Sequence, residues 1–134
     1  MRLVLPYPVS ANRYWRTFTY LDKVTRKPKA VTVPSEEAKT FKAEAGWRAK
    51  EAGCRAPLSG PVEVRFILVP ANRVCMDLDN ALKVSIDALK GIVFTDDSQV
   101  YRLVAVRAEP DAKGARLEVE ILPYAMPMAL EAAA

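Results

Sequence analysis

The segment that most constrains the fold is PVEVRFILVP, residues 61–70, where Val62, Val64, Phe66 and Leu68 fall on one side of an extended chain. Ile67 and Val69 make its far end apolar on the other side as well. A strand of that kind is expected in the middle of a sheet. Residues 78–90 then bring Leu78, Leu82, Ser85, Ile86 and Leu89 to one face at about 100° per residue, the period of an α-helix, and Gly91 is placed to end it. Strand followed by amphipathic helix sets the frame into which the rest must fit.

Before this frame, Pro34-Ser35-Glu36-Glu37 reads as a helix start: Ser35 can cap free N–H groups and two acids sit in the positive first turn. That helix is expected to reach about Gly53, packing through a narrow stripe of Ala38, Phe41, Ala45, Ala49 and Ala52. Trp47 lies off the stripe and is expected partly buried at the core edge, with a dimer contact as the alternative. An opening strand near residues 2–5 runs into Pro-Tyr-Pro. A ribbon over residues 12–33 follows, with Lys27-Pro28 at its bend. After the second helix, QVYRLVAVRAE and ARLEVEIL alternate and are joined by PDAKG, which predicts a β-hairpin. The fold class expected is α+β: a mixed, mostly antiparallel sheet with two helices packed on it. Residues 1–122 are expected to form one domain and 123–134, ending in MALEAAA, a weakly docked tail.

Composition removes several chemistries. The chain has no histidine, which excludes Ser-His and Cys-His nucleophilic catalysis and histidine-built metal sites. Cys54 and Cys75 are far apart and suggest neither a disulfide framework nor a zinc site. No stretch approaches the run of about eighteen apolar residues that spans a membrane, and MRLVLPYPVS is too short in apolar residues for a secretory signal, so a cytoplasmic protein without membrane partners is expected. Charge is uneven: the first thirty residues carry seven basic side chains against Asp22 alone. Within NRYWRTFTYLDKVTRKPK these alternate with Tyr14, Trp15, Phe18 and Tyr20, a mixture suited to phosphate contacts backed by stacking, or else to a solvated cationic face.

The acids of DLDNALKVSIDALKGIVFTDDSQV carry the chemistry. Asp77 and Asp79 stand at the helix start, and Asp96 and Asp97 in the turn after it. Two carboxylates at 4 Å repel by about 4 kcal/mol at an effective dielectric of 20, so acids brought together need a counter-charge. A hard Mg²⁺ ion, which takes oxygen ligands and substrate phosphates, would supply it. Lys83, one helical turn from Asp79, could then contact a phosphate, while Asp87 is expected to pair with Lys83 at i,i+4. The competing readings are helix capping by Asp77 and Asp79 and a plain turn at TDD. Convergence requires GIVFT to run extended, at up to about 3.3 Å per residue, back toward the helix start.

In order and spacing, LPYPVSANRYWR, DLDNALKVSIDAL and TDDSQV resemble the RusA-type Holliday junction resolvases, over roughly residues 3–122. The resemblance implies a homodimeric, Mg²⁺-dependent endonuclease that resolves four-way DNA junctions by paired symmetric nicks in recombination and repair. It places catalytic, metal-holding acids at Asp77, Asp79 and Asp97 and the functional lysine at Lys83, with Asp96 and Asn80 as accessory positions. Candidate DNA contacts are Arg13, Arg16, Lys23, Arg26, Lys27 and Arg73. Members of that family often carry a run of arginines directly before D-L-D; this chain reads PANRVCMDLDN, with Arg73 alone. The alternatives are a non-catalytic branched-DNA-binding protein with a structural metal site, and a small-molecule phosphohydrolase, for which no glycine-rich phosphate loop is present.

Overall fold

A computed structural model describes residues 1–128; the alanine-rich end of the expected tail, residues 129–134, lies outside the described residues. In chain order the elements are β1 (Arg2–Pro6), α1 (Ala11–Tyr14), β2 (Trp15–Leu21), β3 (Pro28–Pro34), α2 (Glu36–Glu51), β4 (Val62–Val69), α3 (Leu78–Leu89), a 3₁₀ turn (Asp97–Gln99), β5 (Val100–Arg107) and β6 (Arg116–Pro123). Four strands form one sheet in the order β1-β6-β4-β5, mixed because β4 and β5 are parallel while the other pairs are antiparallel. The α+β architecture expected from the sequence is present, with a third, single-turn helix, α1, beside the two expected ones. Among the described residues no helix is long and apolar enough to cross a membrane.

β4 is central, as its composition demands. Val62, Val64, Phe66 and Leu68 are almost completely buried, facing Leu3 and Leu5 of β1, Leu117, Val119 and Ile121 of β6, and the helices. On the opposite face Ile67 remains 39% exposed, so only Val69 fulfils the expectation of a far end buried on both sides. The expected hairpin of the last two strands is not formed. β5 and β6 lie on opposite edges of β4, and the connection between them passes over its end, where Ala108 N–H donates to Leu68 O at 2.9 Å and Asp111 N–H to Pro70 O at 2.8 Å. The most buried strand takes the position in which both of its edges are hydrogen-bonded, which leaves the half-exposed β5 at the margin.

The helices pack on the apolar side of the sheet, α2 against β1 and α3 against β4 and β5. Ser35 Oγ accepts the Ala38 N–H at 3.2 Å, and Ala52 closes α2 ahead of Gly53, whose φ of +91° suits glycine. Ala38, Phe41, Ala45 and Ala49 are buried as expected, Ala52 is exposed, and Trp47 is 64% exposed with the Lys50 ammonium 5.1 Å from its ring centre, not partly buried. In α3 the buried side is Ala81, Val84, Ser85, Ala88 and Leu89, while Leu78, Leu82 and Ile86 are only half-buried. Small side chains let the helix sit close to the sheet, turning the larger Leu82 and Ile86 to its flank.

β2 and β3 form a separate two-stranded ribbon, with every residue of β2 exposed. Thr17 and Thr32 hydroxyls meet across it at 2.9 Å. Its reversal lies over Asp22–Lys27, not at Lys27-Pro28: the Asp22 carboxylate accepts the Val24 N–H at 2.8 Å and pairs with Lys29 at 2.6 Å, while Arg26 takes a φ of +55°. Pro28 is already a strand residue, opposite Leu21.

Candidate functional site

The chain has seven aspartates, and the structure sorts them by partner. Asp22, Asp96 and Asp111 form ion pairs with Lys29, Lys90 and Arg116. Asp87 accepts a hydrogen bond from the Tyr14 hydroxyl. The remaining three, Asp77, Asp79 and Asp97, make no side-chain hydrogen bond and no ion pair among the described residues. Asp77 occupies the N-cap position of α3, yet its side chain caps nothing. The capping reading therefore fails there. In TDD the turn is made by Asp96, whose carboxylate accepts the Ser98 N–H, while Asp97 beside it stays exposed and free.

Asp96 is well anchored. Ser98, through its hydroxyl and backbone N–H, and then Lys90, 3.1 Å away, bring its carboxyl down to about 2. The same pairing raises the Lys90 ammonium above its ordinary range. Gln99 completes the turn, its Oε1 accepting from Thr95 N–H at 2.7 Å and Asp96 N–H at 3.0 Å.

The segment GIVFT is not extended. Gly91, with φ +80°, donates to Phe94 O at 2.7 Å, and Ile92 and Val93 N–H both reach back to Leu89 O. Val93 and Phe94 are fully buried, and this burial draws the segment into a compact turn under the sheet. Asp96 is thereby held beside Lys90 at the C-terminal end of α3, eleven residues beyond Asp79, or about 16 Å of helix. Among the described residues no group of three or more Asp, Glu or Cys side chains is arranged to hold a metal ion.

Asp97 instead shares a cleft of about 220 Å³ with Lys83, Ile86 and Asp87 of α3 and with Ala11, Tyr14 and Trp15. Tyr14 is 2% exposed, and its hydroxyl is pushed well above the ordinary tyrosine range by burial and by the Asp87 carboxylate it bonds. Ser35 fixes α1 over this cleft: its N–H donates to Tyr14 O at 2.8 Å and its hydroxyl to Arg13 O at 2.7 Å. The expected Lys83–Asp87 pair is absent; the Asp87 carboxylate accepts the Tyr14 hydroxyl through Oδ2 instead. The tyrosine appeared in the sequence only as one aromatic among basic residues; its spacing from Asp87, 73 residues, gave no signal.

A second cleft, of about 320 Å³, is lined by Pro70, Arg73, Arg107, Ala108, Glu109 and Pro110 at the end of α3 where Asp77 lies. Arg107, at the end of β5, donates to Met76 O at 2.9 Å, the carbonyl directly before Asp77. Sequence reading missed this residue, since nothing local links it to D-L-D; the parallel pairing of β5 with β4 brings it there. Of the basic candidates, Arg13 is engaged by Glu37 at 2.7 Å. Arg16 stacks 5.7 Å from the centre of the Phe18 ring, and Lys23, Arg26, Lys27 and Arg73 are exposed. Asn80 is half-buried beside Asp79.

Carboxylates left without cations at a helix start, a free lysine one turn on and exposed arginines nearby are the features of proteins that act on phosphate esters. Comparison with known proteins narrows the class to deoxyribonucleases: the family described as "Endodeoxyribonuclease RusA" matches residues 6–122. The chain belongs to this RusA family. The protein named "Crossover junction endodeoxyribonuclease RusA" of Escherichia coli strain K12 is 34% identical over 122 residues, covering 89% of this chain and 91% of that protein. Its namesake from Enterobacteria phage 82 shows the same identity and coverage, and that of Escherichia coli O139:H28 is 32% identical.

Proposed function

We propose that this chain is a Mg²⁺-dependent crossover junction endodeoxyribonuclease, acting as a homodimer to resolve four-way DNA junctions by paired symmetric nicks in recombination and repair. The single observation that carries this reading is the selective freedom of Asp77, Asp79 and Asp97, while the other four aspartates are bonded to neighbours. Their donor chemistry, hard and anionic, fits a divalent cation. The described residues do not gather the three around one point, so Asp77 and Asp79 at the start of α3 would hold the ion and Asp97 would have to be drawn toward them to complete the set. Such an ion supplies an activated water and charge neutralisation at the scissile phosphate.

The remaining work falls to the chain itself. Lys83 offsets negative charge on the phosphate undergoing hydrolysis. Arg73 and Arg107 bind a neighbouring phosphate beside the start of α3, which gives the charge that MDLDN lacks in its own sequence. The ribbon presents Arg16, Lys23, Arg26 and Lys27 to the backbone, with Phe18 and Tyr20 available for stacking. Two-fold symmetry of a dimer matches the near two-fold symmetry of the junction, so that two sites nick two strands of like polarity. One endonuclease domain, residues 1–122, carries these functions in the cytoplasm.

The test is incubation of the purified protein with an end-labelled four-way junction and a matched duplex, with and without Mg²⁺. Symmetric nicks in the junction alone, dependent on the ion, are expected. Junction binding without nicking would instead make the chain a branched-DNA-binding protein with a structural metal site.

A further inference from the structure

Lys83 and Asp87 are spaced i,i+4 on α3, the separation at which opposite charges on a helix meet. They do not pair. Asp87 Oδ2 accepts the hydroxyl of Tyr14, and Lys83 makes neither an ion pair nor a hydrogen bond among the described residues, although both side chains line the same cleft as Asp97. Tyr14 reaches Asp87 from another element and is fixed independently of α3. It is buried, its carbonyl accepts the Ser35 N–H, and the Trp15 ring stands edge-on to its own at 5.0 Å and 76°.

We infer that Tyr14 is a positioning residue for the phosphate-contacting lysine: by anchoring Asp87 through Oδ2 it holds that carboxylate turned away from Lys83 and leaves the ammonium free in the cleft. The inference rests on the reading of Lys83 as a phosphate contact. An ammonium already neutralised by a carboxylate one turn away is a poorer partner for a phosphodiester, because the pair must be broken and the carboxylate left facing the substrate. A tyrosine hydroxyl suits the task, since it anchors one carboxylate oxygen with a neutral donor and adds no competing cation. Two other cations lie near Asp87, and both are engaged elsewhere: the Lys42 ammonium donates to the backbone carbonyls of Asp87 and Lys90 at 3.2 Å, and Lys90 pairs with Asp96 at 3.1 Å.

Tyr14→Phe keeps the ring and removes only the donor. In that variant the released Asp87 turns to Lys83. Acylation of Lys83 by a small activated ester, read by mass spectrometry against Lys50 as internal reference, is expected to slow, and single-turnover cleavage of a four-way junction to fall by roughly fivefold with junction affinity little changed, the upper range for an exposed ion pair. Adding Asp87→Asn to Tyr14→Phe is expected to restore both labelling and cleavage, which repair of a merely structural defect would not do. Unchanged Lys83 labelling in Tyr14→Phe, or a double variant as impaired as the single, overturns the inference; the first result would mean that the carboxylate goes to Lys42, to Lys90 or to water. Altered labelling with unaltered cleavage supports the withholding of Asp87 and overturns only the assignment of Lys83 to phosphate.

Discussion

Gln99 reaches back over the 3₁₀ turn to accept the backbone N–H of Asp96 at 3.0 Å, while its amide nitrogen donates to Leu58 O at 2.9 Å and Gly60 O at 3.0 Å. One side chain thus ties the turn that carries Asp97 to the loop before β4. Gln99→Ala is expected to cost about 1–2 kcal/mol, given net values near 1 kcal/mol per hydrogen bond and partial replacement by water. Gln99→Glu should cost more, because it sets an anion against two carbonyl oxygens. Urea unfolding measures both, and hydrogen exchange at the Thr95 and Asp96 amides should quicken in each variant.

The division between paired and free aspartates makes a contrast that cleavage assays can read. Asp79→Asn is expected to abolish nicking, with a loss beyond the roughly 100-fold typical of disturbing an outer-shell partner, while junction binding persists or tightens as a negative charge is removed. Asp96→Asn loses only an exposed pair with Lys90, both side chains being nearly half exposed, and should retain most activity. Full nicking by Asp79→Asn would overturn the assignment of that acid.

What the sequence disclosed depended on the range of the interaction. Ser35 as a helix cap, the alanine stripe of α2 as far as Ala49 and the alternation of β4 are local patterns, and all three stand in the structure. Pairing is a competition among distant segments. QVYRLVAVRAE and ARLEVEIL have the composition of a hairpin, yet β4 lies between them because the most apolar strand needs two partners. The compaction of GIVFT has a similar origin: Val93 and Phe94 enter the core, a preference invisible in spacing arguments about Asp97. The D-L-D and TDD motifs were legible as chemistry. That Asp77 leaves its cap unmade, that Tyr14 claims Asp87 and that Arg107 arrives beside Met76 each depend on a contact between separate elements.

Arg107 offers two roles that one substitution separates. Its guanidinium tethers Met76 O and also adds positive charge to the cleft shared with Arg73. Arg107→Gln keeps an N–H donor for the carbonyl but removes the charge. Junction affinity is then expected to fall, and the slope of log affinity against log salt to shrink by about 0.9, the value for one lost phosphate contact. Fluorescence anisotropy over a salt series gives the slope. An unchanged slope with normal affinity would leave Arg107 as a backbone tether alone.

The Tyr14–Asp87 bond also predicts how stability responds to alkali. Burial, and then the adjoining carboxylate, hold the Tyr14 hydroxyl protonated well above its ordinary range. The unfolded chain releases that proton near pH 10, so above this pH the unfolded state binds fewer protons than the folded one. Stability contributed by Tyr14 is accordingly complete below about pH 10 and declines as pH rises beyond it. Tyr14→Phe has no proton to lose. The difference in urea midpoint between the parent and Tyr14→Phe should therefore be constant from about pH 7 to 9 and shift between about pH 10 and 12 in favour of the variant. Parallel profiles throughout would show that the hydroxyl titrates like a solvated one, and would remove the hydrogen bond on which its positioning role depends.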